Sequence, residues 1–156
     1  DAVAETAGEV CKNWEQLKMT EKDGNKTILS GVPASMPSLI KAYRMQEKAA
    51  NVGFDWAKKE EVWAKVKEEI AEIEQEMQRG DAVNMEKEFG DLLFSLVNAS
   101  RLYGINPDNA LEQTNTKFRR RFGYVEQHSI GQGRSLRDMS LEEMDALWNE
   151  SKQDEQ

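Results

Sequence analysis

At 156 residues the chain is long enough to bury a real core and fits a single domain. Its 38% hydrophobic and 32% charged residues, interrupted by only three prolines, exclude a disordered chain and suit a helical one. A net charge of −8 argues against general nucleic-acid binding, and no apolar stretch is long enough to span a membrane.

Residues from about Ala2 to Lys22 read as a helix, with Val10, Trp14 and Leu17 on one side. The stretch from Asp23 to Met36 carries glycine, proline and serine and reads as a connecting loop. It divides an N-terminal segment, residues 1–36, from a helical domain, residues 37–156. The lone cysteine of the first segment, Cys11, has no internal disulfide partner, which fits a reducing, cytoplasmic setting. A second helix runs from about Pro37 to Val52 and stops at Gly53.

The third predicted helix, about Glu60 to Arg79, is the first to carry chemistry. Val62, Val66, Ile70, Ile73 and Met77 make an apolar stripe, with Glu69, Glu72 and Glu76 along one flank. Gly80-Asp81 supplies a C-cap and a turn. The fourth helix, about Ala82 to Tyr103, is apolar nearly all round except for a strip of Glu88, Asp91, Ser95 and Asn98. A polar seam on a helix that should be buried points at something polar inside the bundle. Asn106-Pro107 starts the fifth helix as N-cap and N1, and Leu111, Phe118, Phe122 and Val125 are its expected core face. A last short helix begins at Ser140, where Ser140 and Glu143 fit a capping box. No strand signal competes, so the fold class is all-α, a helical bundle.

Glu69 and Glu72, like Glu88 and Asp91, are spaced i,i+3, so each pair puts two acids on one helix face. Acids on helices are most often a solvated face, and Glu69 with Glu72 alone would read that way. Two such pairs on consecutive helices joined by a short turn instead place four acids across one groove. Like charges 4 Å apart repel by about 4 kcal/mol at an effective dielectric of 20, so the groove needs a cation. Oxygen-only ligands favour Mg²⁺ or Mn²⁺, which share themselves with phosphate oxygens. Zinc is disfavoured because Cys11 and His128 lie in unrelated segments, and a di-iron site because no Glu-x-x-His motif occurs. Lys117 and Arg121, at i,i+4, would clamp phosphate oxygens or pair with a glutamate such as Glu112. Trp148 would stack on a base or pack as core.

KVKEEIAEIEQE (65–76), EKEFGDLLFSLVN (86–98) and NTKFRRRFGYVE (115–126), with NVGFDW (51–56) upstream and Met144 to Trp148 downstream, carry a likeness. Taken in order, these motifs resemble the MazG-type nucleoside triphosphate pyrophosphohydrolases. The resemblance implies Mg²⁺-dependent hydrolysis of nucleoside triphosphates to monophosphate and pyrophosphate, as house-cleaning of the nucleotide pool, by an intertwined homodimer. It makes Glu69, Glu72, Glu88 and Asp91 metal-binding and catalytic. It makes Lys65, Lys117, Arg121 and Trp148 nucleotide contacts, with Asn98 a further contact on the seam. It also suggests the C-terminal member of a tandem pair, in keeping with a start at Asp1 rather than Met. Alternatives are a relative restricted to dUTP, dCTP or a phosphoribosyl-ATP, and a non-catalytic helical dimerisation module. Lys87 and Asn84 depart from the family's usual acid and base, which bears on the number of metal ions.

Overall fold

A computed structural model describes residues 27–155 of the chain. The helix expected over Ala2 to Lys22 and the cysteine at position 11 lie outside these residues. Five α-helices and no strand occur among the described residues: α1 (Ser38–Asn51), α2 (Lys59–Arg79), α3 (Ala82–Leu102), α4 (Pro107–Ile130) and α5 (Leu141–Asp154). The fold is all-α, as expected. None of these helices is long and apolar enough to cross a membrane. The chain divides after Asp108 into two compact units, the first holding α1 to α3 and the second most of α4 with α5.

In the first unit, α2 and α3 form an antiparallel pair because only Gly80 and Asp81 separate them. Gly80 takes the left-handed conformation, φ +72°, and its N–H donates to the carbonyl of Glu76 at 2.9 Å, closing α2. Asp81 then accepts from the Asn84 N–H at 3.2 Å and opens α3 as its N-cap. Val62, Val66 and Ala99 are buried together between the two helices, with Leu92 and Leu102 packed against them. Two polar ties fasten the rest of the unit to α3. Gln46 on α1 donates from Nε2 to the carbonyl of Phe94 at 3.0 Å, and Asp55 in the α1–α2 connection is paired to Arg101.

The buried face of α2 differs from the expected stripe. Val62, Val66, Glu69, Ile73 and Glu76 are buried, at spacings of four, three, four and three. Ile70 and Met77, expected inside, are exposed. The helix is therefore turned so that two of the acids on the expected flank face inward, and the apolar stripe is split between two sides. The fourth predicted helix is not wrapped in protein either. Leu93 is 59% exposed, and Phe89, Phe94 and Leu96 are exposed as well.

At the start of α4, still within the first unit, Asn106 accepts from the Asp108 N–H at 3.0 Å, with Pro107 in the first turn. Ser140 and Glu143 form the expected capping box at α5. Of the expected core face of α4, only Val125 is buried; Leu111, Phe118 and Phe122 are exposed. Tyr124 donates to Glu150 at 3.2 Å, and Glu155 receives Arg120 and Arg121, each at 3.0 Å, so charge rather than apolar bulk ties much of α4 to α5.

Candidate metal and nucleotide site

Three of the four proposed ligands converge. One carboxylate oxygen each from Glu69, Glu88 and Asp91 lie within 4.8 Å of one another. The two-residue turn brings this about: it sets the last part of α2 beside the first part of α3, and the 3.6-residue period aims position 69 at positions 88 and 91. Glu69 is buried, Glu88 half-buried and Asp91 exposed, so the cluster opens on one side. The fourth acid, Glu72, sits against the same group. Its carboxyl is pushed above the usual carboxylate range, first by a hydrogen bond with Glu88 and then by the charge of Glu69.

The carboxylates fit a hard divalent cation on a second count. Glu69 Oε2 and Glu88 Oε2 are buried and without a hydrogen-bond partner. A buried carboxylate oxygen left unpaired is costly, and a cation is what this donor set can hold. Lys65 satisfies part of the charge: its Nζ lies 2.9 Å from Glu69 and 3.4 Å from Glu68, which holds the ammonium above its ordinary pKa. Lys65 is thus an i,i+4 partner of a cluster acid.

Glu69 and Asp91 also line a cavity of about 650 Å³, together with Lys65 and, along α3, Ser95, Asn98 and Arg101. Leu29, Met45, Ala49, Phe54 and Trp56 supply its apolar wall. Such a space, apolar with a few polar groups at fixed places, suits a small organic ligand bearing phosphates. Asn98 lies on the wall, as expected, and its Oδ1 accepts from Arg101 Nη2 at 2.7 Å. Sequence reading missed Gln46, Asp55 and Arg101 here. Gln46 on α1 is tied to a carbonyl 48 positions away, and Asp55 and Arg101 are 46 positions apart, so no local period connects either pair.

The remaining expected residues belong to the second unit. Lys117 is exposed. Arg121 is bonded to Glu155, not to Glu112, which instead accepts from Asn115 at 3.3 Å. That pairing holds the Glu155 carboxyl down at about 2, with Arg120 the next cause. Trp148 is half-buried: the Phe118 ring lies 5.4 Å away and the Arg121 guanidinium 5.7 Å over its ring. His128 has Nδ1 2.9 Å from the carbonyl of Tyr124 and stacks on that tyrosine's ring.

An all-helical unit with three converging acids, two of which line a largely apolar cavity, defines a class of protein whose acidic cluster could hold a metal ion. Comparison narrows the class. Residues 57–125 match the family described as the MazG nucleotide pyrophosphohydrolase domain. The chain is 38% identical over 159 residues to the "Nucleoside triphosphate pyrophosphohydrolase" of Escherichia coli K12, an alignment covering 99% of this chain and 60% of that protein. It is 38% identical over 142 residues to the "Nucleoside triphosphate pyrophosphohydrolase/pyrophosphatase MazG" of Thermotoga maritima, covering 90% of this chain and 54% of that one. It is also 46% identical over 157 residues to the "Uncharacterized protein YabN" of Bacillus subtilis, with coverages of 99% and 32%. The chain belongs to the MazG family of nucleotide pyrophosphohydrolases. It spans about 60% of the Escherichia coli relative's length.

Proposed function

We propose that this chain hydrolyses nucleoside triphosphates to nucleoside monophosphate and pyrophosphate, as the names of its relatives suggest, in a reaction that depends on Mg²⁺ at the acid cluster. The convergence of Glu69, Glu88 and Asp91, two of which line a nucleotide-sized cavity, is the observation that carries the reading. A divalent ion held by these acids would neutralise the triphosphate and make a bound water more acidic. Mn²⁺ suits the same oxygen donors.

The chain's own residues divide the remaining work. Glu69, Glu88 and Asp91 would hold the cation, whose positive charge would offset both their own charge and that of the phosphates. Glu72, which interacts with Glu88 and Glu69, would complete the acid set and take the proton of the attacking water. Attack at the α-phosphorus breaks its bond to the bridging oxygen, and pyrophosphate leaves with that bond's electrons. Lys65 faces the triphosphate with an ammonium already held on the site by Glu69. Asn98 contacts the nucleoside from the cavity wall. On the family's pattern, Lys117 and Arg121 offer cations to the phosphates and Trp148 a ring to the base. Residues 37–156 form the catalytic domain in this account. Exposed Trp63, Ile70 and Met77 on α2 with Leu93, Leu96 and Tyr103 on α3 form an apolar surface that a second copy would cover, giving a homodimer. A cytoplasmic role in clearing unwanted nucleotides follows the same reading, with no nucleic acid or membrane as partner.

The test is a triphosphate panel assayed with Mg²⁺, reading monophosphate and pyrophosphate separately. Glu69→Gln and Asp91→Asn should each lower turnover by roughly two orders of magnitude or more while far-UV helicity persists. Full activity in either variant rejects the assigned site.

A further inference from the structure

Two amides on the cavity wall have orientations fixed by their neighbours. Gln46 is only 5% exposed, and its Nε2 donates to the Phe94 carbonyl at 3.0 Å. A carbonyl can only accept, so this bond settles which end of the amide is which. Gln46 Oε1 is therefore a pure acceptor, and it is buried with no hydrogen-bond partner. Asn98 is the converse case. Its Oδ1 is taken by Arg101, itself held by Asp55, so Nδ2 is the group left to donate. The wall thus offers an acceptor and, farther along α3, a donor.

Position along α3 separates what each can meet. At 1.5 Å per residue, Phe94 is about 4.5 Å and Asn98 about 10.5 Å beyond Asp91 along the axis. In a nucleotide the sugar hydroxyls are a few bonds from the α-phosphorus, whereas the base edge is roughly twice as far. With the phosphates at the acids, the Gln46 acceptor stands at the level of the sugar and Asn98 at that of the base. Proteins seldom leave a buried acceptor unpaired, because its desolvation is not recovered until a donor arrives.

We propose that Gln46 is a specificity residue that reads the sugar: its Oε1 accepts a hydrogen bond from a ribose hydroxyl, O3′–H or O2′–H, of the nucleotide seated in the cavity. This rests on the triphosphate reading above and adds the group that selects for the sugar. Sites built to hydrogen-bond a substrate hydroxyl reject the analogue lacking it, since the protein's own buried group is then stranded.

The experiment compares ATP, 2′-deoxy-ATP and 3′-deoxy-ATP on the wild-type chain and on Gln46→Met, which keeps the shape and removes the acceptor. The wild type should lose about tenfold or more in kcat/KM on one of the two deoxy substrates, which identifies the hydroxyl read. Gln46→Met should treat that substrate and ATP alike to within about twofold. A wild type indifferent to both hydroxyls overturns the proposal, as does a folded Gln46→Met that still discriminates. Should Gln46→Met lose its helicity, Gln46→Leu, which also lacks the acceptor, takes its place, and a folded Gln46→Leu that still discriminates overturns the assignment equally. The corresponding monophosphates, titrated by calorimetry, separate the two readings. If no triphosphate is hydrolysed, the catalytic reading fails, and the same pattern in monophosphate binding, present or absent, decides the role of Gln46.

Discussion

Replacing Glu88 by glutamine should stabilise the metal-free protein and destabilise it relative to wild type once Mg²⁺ is present. The oxygens of Glu69, Glu88 and Asp91 lie within 4.8 Å of one another. Two unit charges at that distance repel by about 3.5 kcal/mol at an effective dielectric of 20, and by just under about 1 kcal/mol in bulk water. Glu88 is half-buried and Asp91 exposed, so the true value lies between these limits. Removing one charge while keeping the amide shape should add about 1–3 kcal/mol, roughly 3–8 °C in melting temperature for a chain of this size. Mg²⁺ at about 100 times its dissociation constant then adds about 2.7 kcal/mol to the wild type and little to the variant. The two melting curves should therefore exchange order between EDTA and saturating Mg²⁺.

The advantage in EDTA should also grow with pH. The Glu72 carboxyl is raised chiefly by its hydrogen bond with Glu88. A raised carboxyl costs the fold nothing below its unfolded value of 4.5, where it is protonated in both states. The penalty appears as pH climbs through the higher folded value. Glu88→Gln removes the leading cause, so its lead over wild type should widen from pH 5 to pH 8. A variant less stable than wild type in EDTA, with both proteins gaining equally from Mg²⁺, would refute the convergence of these acids on a cation.

Two further outcomes follow from the packing and from the second unit. Val66→Ala, at a fully buried position against Val62 and Ala99, should cost about 2 kcal/mol by urea unfolding, with the slope unchanged. Glu155, held down at about 2 by Arg121, contributes stability that is complete above 4.5 and is lost as pH falls towards 2, which a carbon NMR titration of its carboxyl would follow.

The sequence's local signals read well wherever a local rule decides the structure. Gly80 followed by Asp81, and Ser140 with Glu143, terminate and start helices through hydrogen bonds within four residues, so their types announce the boundaries. The acid pairs were legible for the same reason, since i,i+3 spacing on two helices with a two-residue turn leaves them few ways to avoid one another. Rotation about the helix axis was not legible. In α2 the apolar stripe Val62, Val66, Ile70, Ile73 and Met77 and the buried set with Glu69 and Glu76 share their first two members and Ile73. One turn's drift decides between them, and burying an acid is penalised unless something answers its charge. Apolar periodicity therefore chose the face with the most carbon, whereas the structure turns Glu69 inward towards Lys65 and the other two acids. Gln46, Asp55 and Arg101 are silent for another reason: each is defined by a partner 46 or 48 positions away, and only the fold brings the pairs together. The polar seam and the turned helix are thus one fact seen twice. Glu69 faces inward with Lys65 answering part of its charge, and the apolar Ile70 and Met77 are left on the outside of the same helix.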